Sequence, residues 1–304
     1  MLLPHRRTTL PAIFALCLFA LPHTQALAQS YPSQAVRIVV GDAAGGVTDL
    51  AARIIAPRLA ELEPGVDFHS RHTVFLEESW LDPRQLMAAA LHAAARQQID
   101  LREHTEAVAI DVQQGHATAV LTSQGTLAAG LVVNCCGAWA AEPGPLHIPV
   151  RPVKGQMLTV AAPEGLELTH VIRSRDVYLV PRGAGRILIG STVEEAGFDK
   201  SVDPEAIRRL QRLAAHFIPG LDNAAVIDSW AGLRPGTPDG LPILGETAIG
   251  NYYVSTGHFR NGILLAPVTA HVMSRLVCGI TPDFDPSAFS LKRFERDRQA
   301  ANIF

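Results

Sequence analysis

Cysteine is scarce, with Cys17, Cys135, Cys136 and Cys278 the only four in 304 residues. A disulfide framework or a zinc site needs paired cysteines at set spacings, and these positions offer neither. The adjacent Cys135 and Cys136 are expected as core residues of a buried strand. Histidine is commoner, but no H-E-x-x-H pattern orders it, so that metal-hydrolase signature is excluded. Neither G-x-S-x-G nor S-x-x-K occurs, which leaves a serine nucleophile without a motif. Positive charge is not in excess either. The formal charge is −3 and no basic cluster stands out, which argues against nucleic acid as a partner. The apolar run from Leu10 to Leu21 is too short to cross a bilayer comfortably.

Apolar residues make up 48% of the chain, ample for one large domain or two smaller ones. His5-Arg6-Arg7, the apolar run and Ala26-Leu27-Ala28 before Gln29 read as an export signal over residues 1–28, which predicts a periplasmic protein. A buried or membrane-tethering helix is the alternative. Tyr31 to Val40 reads as a strand, followed by Gly41-Asp42-Ala43-Ala44-Gly45-Gly46 and an amphipathic helix to about Leu62. That loop is either a tight turn or a set of amides for a phosphate, and its spacing is not G-x-G-x-x-G.

Further on, Leu81 to Gln98 is a helix capped by Asp82 and expected to pack on a sheet face. Short strands are predicted at Ile99 to Arg102, Ala107 to Val112 and Ala117 to Thr122. His104 and Glu106 read as a solvated strand end. Leu131 to Asn134 is apolar enough to be a strand buried on both faces. Along Val150 to Ala161, Lys154 is either a cation beside a cofactor or a solvated strand lysine. Val171 to Pro181 and Arg186 to Thr192 form a hairpin across Arg182-Gly183-Ala184-Gly185. Asp203 caps a helix to about Phe217, and Ile263 to Cys278 is an apolar helix containing Pro267.

Two turn-rich loops carry arginines: Gly232-Leu233-Arg234-Pro235-Gly236, and Gly257-His258-Phe259-Arg260-Asn261-Gly262 at the start of the last helix. Glycines around Arg260 leave amides free to meet an electron-rich group. A planar guanidinium fixes a carboxylate in distance and orientation, which lysine does not. Surface ion pairing is the alternative role for either arginine.

From about Leu62 onward, five blocks, the last of them the arginine-loop run, resemble the D-amino-acid oxidase family of FAD enzymes, its glycine-oxidase branch in particular. The blocks are Trp80-Leu81-Asp82-Pro83-Arg84-Gln85-Leu86, Val132-Val133-Asn134-Cys135-Cys136-Gly137-Ala138-Trp139, Pro152-Val153-Lys154-Gly155-Gln156-Met157, Tyr178-Leu179-Val180-Pro181-Arg182, and the loop run ending Gly262-Ile263-Leu264. Residues 29–61 instead resemble the opening of a periplasmic solute receptor of the tripartite tricarboxylate transporter type.

The oxidase resemblance implies an α/β (α+β) fold: a truncated FAD-binding Rossmann-like layer plus a mixed antiparallel substrate domain, chiefly residues 150–230 of a body spanning 62–304. It implies FAD as cofactor, with Ala107 or Val108 against its adenosine half and Gly137, His258, Phe259, Arg260, Asn261, Gly262, Ile263 and Leu264 also holding it. It implies a small amino-acid or amine substrate held by Arg234, Arg260 and Tyr178, with no catalytic base and no metal. A hydride passes to flavin N5, and the imine hydrolyses to a 2-oxo acid and ammonia. Oxygen or another acceptor takes the electrons, and a homo-oligomer is allowed for. By this resemblance the body is cytoplasmic, in tension with the export signal. The family's G-x-G-x-x-G unit is absent, so an exported carboxylate-binding protein or a degenerate, non-catalytic hybrid is the alternative.

Overall fold

A computed structural model of the chain describes residues 36–39, 63–66, 73–76 and 80–294. The expected signal segment, the glycine loop at 41–46 and the helix before Leu62 lie outside the described residues. Only β1 (Val36–Val39) is described from the receptor-like stretch. The strands that follow are β2 (Thr73–Leu76), β3 (Ala107–Gln113), β4 (His116–Thr122), β5 (Gly125–Ala128), β6 (Val132–Asn134), β7 (Arg151–Ala161), β8 (Ile172–Arg173), β9 (Tyr178–Pro181), β10 (Arg186–Gly190), β11 (Val226–Gly236), β12 (Ile243–Glu246) and β13 (Tyr252–Thr256). The helices are α1 (Pro83–Arg96), α2 (Pro204–Ala215) and α3 (Gly262–Val277).

The largest sheet runs β11-β7-β10-β9-β8-β1-β2. It is antiparallel except where β1 lies parallel to β8. Its two faces differ because side chains alternate along each strand. One face buries Leu158 and Val160 of β7, Leu179 of β9, and Ile187 and Ile189 of β10. On this face α2 lays Ile207, Leu210 and Ala214. Each fully buried aliphatic side chain of this kind stabilises the fold by about 1.5–3 kcal/mol. Asp203 starts α2 by accepting a hydrogen bond from the Glu205 amide at 2.9 Å, and Pro204 occupies the first turn, where its missing N–H costs nothing. Buried Gln211 ties α2 to the turn after it, donating from Nε2 to the carbonyls of Leu221 and Ala224, both at 2.8 Å.

On the opposite face, cross-strand register aligns Tyr178, Gly190, Met157 and Trp230, then Gly155 with Gly232, then Val153 with Arg234. Directly opposed residues point the same way. A short-residue patch therefore lies between a tyrosine and an arginine.

A second sheet, β12-β13-β6, has β6 parallel to β13 and packs Val132, Tyr252, Val254 and Ile243 around Ile148 and Ala140. The third sheet is β3-β4-β5. Its first turn is Gln114-Gly115, with φ of 50° and 79°, the mirror-image turn that suits a two-residue hairpin. The Ala117 amide joins this sheet to the second by donating to the Gly250 carbonyl at 2.9 Å.

The hairpin β9–β10, the capped α2 and the mixed helix-and-sheet class agree with the sequence expectations. Several local readings do not. Val133 is exposed between buried Val132 and Asn134, so β6 is covered on one face only. Cys135 and Cys136 lie past the end of β6 and are exposed, because the chain turns there instead of continuing into the core. No strand forms over Ile99 to Arg102. Helix α1 buries none of its residues among the described ones, with Met87 59% exposed, and is anchored at its start by Arg84, which lies 4.9 Å over the Trp230 ring and pairs with Asp228. Lys154 is neither solvated nor beside the arginine patch. It is buried on the α2 face, donating from Nζ to Asp199 at 3.0 Å. Glu63, beside the expected junction, is buried too, and accepts from the amides of Thr169 at 3.0 Å and His170 at 2.6 Å.

Two stability tests follow from these contacts. Gln211→Leu orphans two carbonyls and lowers unfolding free energy by roughly 2–4 kcal/mol, whereas Arg208→Ala on the exposed side of α2 changes it by less than about 1 kcal/mol. Urea denaturation of both variants checks the contrast. The Ser201 amide and hydroxyl, followed by the Lys154 ammonium, hold the Asp199 carboxyl down at about 2. Its folded value lies below the unfolded one, so its contribution is complete above the ordinary carboxyl range and is lost as pH falls through about 2. Acid unfolding curves are therefore expected to drop more steeply for the native chain than for Asp199→Asn, and parallel curves would contradict this.

Candidate active site

Arg234 lies near the end of β11, paired along its length with β7. A Cβ on Gly155 would collide with both terminal nitrogens of the guanidinium, so glycine is what lets the arginine lie across β7. Nη1 donates to the carbonyls of Thr192 at 3.1 Å and Lys154 at 3.4 Å, and Nη2 donates to Ser191 Oγ at 2.8 Å. Burial pushes the guanidinium below its ordinary pKa; Tyr178 opposes that shift and the charge of Arg260 adds to it. An arginine starts so far above neutrality that it stays cationic here.

Tyr178 leans over Gly190, where a Cβ would sit 2.6 Å from the phenol oxygen. Its hydroxyl donates to Met157 Sδ at 3.3 Å. Tyr178 is within electrostatic reach of both Arg234 and Arg182.

The second arginine loop follows β13. Gly257 and Phe259 adopt φ of 80° and 49°, and a Cβ on Gly257 would come 2.5 Å from Thr237 Cγ2, so the two arginine loops are packed together. The Phe259 amide donates to the Pro235 carbonyl at 3.0 Å, one residue past Arg234. Helix α3 then begins at Gly262 with no side-chain cap from Asn261. The first amides of a helix have no intrahelical acceptor, so those of Gly262, Ile263 and Leu264 are available to an external one. Burial lowers the His258 pKa, keeping the ring neutral near pH 7, and its Nε2 lies 2.9 Å from Thr269 Oγ1, pinning the loop to the third turn of α3. Thr256 Oγ1 donates to the Gly137 carbonyl at 2.8 Å. Gly137 has φ of 56° and opens a short 3-10 turn that packs on β7 and β11.

The structure thus gathers Arg234, Arg260, Tyr178, Gly137 and the loop from His258 through Leu264 at the junction of two sheets. Ala107 and Val108 are elsewhere, on β3 of the third sheet. Ala107 lines an open concavity of about 530 Å³ with Asp100, Arg102 and Thr105, and Val108 is 56% exposed. Uncapped amides beside bare glycines fit the polar edge of a flavin ring. No G-x-G-x-x-G cradle occurs in the sequence, so the described residues fit the flavin end of FAD and do not supply its pyrophosphate site. Sequence reasoning missed Gly190, Ser191 and Thr192 as parts of the site. Gly155 and Met157 stood in a recognised block without an assigned role, and nothing local marks Ser191.

The family model for FAD dependent oxidoreductases (DAO) matches residues 14–276. The glycine oxidase of Pseudomonas putida is 36% identical over 213 residues, 69% of this chain and 58% of that protein. The glycine oxidase of Geobacillus kaustophilus is 41% identical over 213 residues, 68% of this chain and 56% of that one. The chain therefore spans rather more than half the length of these relatives. The crystal structure of the Geobacillus kaustophilus glycine oxidase aligns with a TM-score of 0.76 at 32% identity, covering 86% of this chain and 75% of that one. An L-proline dehydrogenase from P. horikoshii shares the fold, with a TM-score of 0.75 at 20% identity, covering 87% of this chain and 77% of that one. The receptor likeness of residues 29–61 is not borne out, since the family match begins at residue 14 and runs through that stretch. The chain is a glycine-oxidase-like member of the DAO family of FAD dependent oxidoreductases.

Proposed function

We propose that the chain carries the substrate side and the flavin-facing loop of an FAD-dependent oxidase of a small amino acid or secondary amine. The observation that carries this reading is the joining of the two arginine loops through the Phe259 amide and the Pro235 carbonyl, which puts an oriented guanidinium beside the uncapped start of α3. Support also comes from the glycine oxidases it resembles over about two-thirds of its length.

FAD, when bound, supplies the hydride acceptor at N5. Arg234 holds the substrate carboxylate in a planar pair of hydrogen bonds, Arg260 adds positive charge beside it, and the Tyr178 hydroxyl, turning from Met157 Sδ, donates one more. Fixing the carboxylate orients the α-carbon and its amine, and that positioning is the main catalytic contribution of these residues. The amides of Gly262 to Leu264 favour negative charge where they point, which suits the flavin's electron-rich edge during turnover. The substrate leaves as an imine, which water converts to a 2-oxo acid and ammonia. Oxygen is the electron acceptor in this reading. No metal takes part.

Arg234→Leu is expected to retain flavin absorbance and lose roughly 10²- to 10³-fold in kcat/KM towards glycine or a similar amine, the scale of a lost bidentate charge-assisted pair. Steady-state kinetics with a spectrum of the purified variant checks both halves. Loss of flavin colour would mean the residue serves the fold or the cofactor instead, and a folded native chain that binds a small acid but never flavin would support the non-catalytic alternative.

A further inference from the structure

We infer that the segment Ser191 to Glu194, clamped to β7, is a positioning element that sets which edge of Arg234 meets a ligand, with Ser191 as the selecting residue. This deepens the proposed function and rests on its reading of Arg234 as a carboxylate holder.

A guanidinium has five N–H donors. Arg234 spends both Nη1 donors on the carbonyls of Thr192 and Lys154, and one Nη2 donor on Ser191 Oγ. Two remain, Nε–H and the second Nη2–H. We place the Ser191 bond on the Nη1 side of Nη2, next to the Thr192 carbonyl, which leaves the two on one edge with parallel bonds at the spacing of the two oxygens of a carboxylate. The end-on edge, which would need Nη1, is already occupied by the protein. A small carboxylate therefore approaches side-on, and the hydroxyl of Ser191 keeps Nη2 turned that way.

What fixes Ser191 is on the other side of the sheet. Gln156 is fully buried there, with its side chain on the α2 face. Its Nε2 donates to Glu194 Oε1 at 2.8 Å, its Oε1 accepts from the Asp203 amide at 2.7 Å, and its own amide donates to Thr192 Oγ1 at 2.8 Å. The Thr192 amide donates back to the Gln156 carbonyl at 3.2 Å, and Lys154 and Glu194 exchange amide–carbonyl bonds, both at 2.9 Å. The chain leaving β10 is thus bonded to β7 residue by residue as it passes the guanidinium. A buried glutamine on one face of the sheet registers the acceptors used on the other.

The test is equilibrium binding of acetate, a carboxylate with no amine to oxidise, to the full chain by titration calorimetry, with KM and kcat for glycine measured alongside. Ser191→Ala is expected to weaken acetate roughly five- to tenfold and to lower kcat/KM for glycine at least as much, the scale of one hydrogen bond to a charged group, with the thermal midpoint little changed. Ser191→Thr, which keeps the hydroxyl, restores binding. Gln156→Asn, whose shorter side chain loses its reach to Glu194 and the Asp203 amide, weakens acetate in the same direction. If Arg234→Leu abolishes acetate binding while Ser191→Ala leaves it unchanged, the positioning inference is wrong and the carboxylate role stands. If Arg234→Leu leaves acetate binding intact, the carboxylate role itself is wrong.

Discussion

A guanidinium laid over a glycine and bonded to the main chain organises this structure. Taking an arginine partly out of water is costly unless its donors find acceptors, and here two carbonyls and a hydroxyl provide them. The cost is met by the fold itself, so the cation does not have to fold back onto a carboxylate of the protein. It remains charged and pointed, with two donors to spare. Other features depend on this. Gly155 must be bare, the strand end at Ser191 must stay close, and Pro235 must present its carbonyl to the loop that carries Arg260.

The large sheet divides the work between its faces. Aliphatic residues of β7, β9 and β10 meet α2 on one side and provide stability, and the same strands present glycine, tyrosine and methionine on the other. Strand β7 belongs to both: Leu158 and Val160 are core, whereas Gly155 and Met157 line the patch. Gln156 and Lys154 are polar yet buried among the core residues, and their partners Glu194, Asp203 and Asp199 all lie on the connection between β10 and α2. Changes on the core face therefore reach the site through that connection.

The sequence was most readable where the backbone rules are strict. Asp203-Pro204 and Asp82-Pro83 marked helix starts because an acceptor before a proline satisfies early amides, and both caps are present. Glycines flanking His258 and Arg260 signalled a turn with free amides, and the loop has the left-handed residues that such a turn needs. The motif blocks brought Arg234, Tyr178 and Arg260 to one place. The misses share a physical cause. Lys154 and Cys135 were judged by residue type, but burial is decided by what packs across the sheet and where the strand stops, which a local window does not contain. Ser191 and Thr192 lie more than forty residues from Arg234 in sequence, and only strand order brings them together. Helix α1 has an apolar, alanine-rich pattern that reads as core-facing, yet none of its residues is buried.

The central claim is that the arginine and the uncapped helix start serve one site, in which an acid held by the first lies against a flavin held by the second. Titrating flavin-loaded protein with propionate and, separately, with propionamide while recording the flavin absorbance spectrum tests this most directly. The account predicts a saturable spectral change with the acid and none with the amide. Equal responses to both, or binding of propionate with no change in the flavin spectrum, would show that the guanidinium and the cofactor loop do not share a ligand.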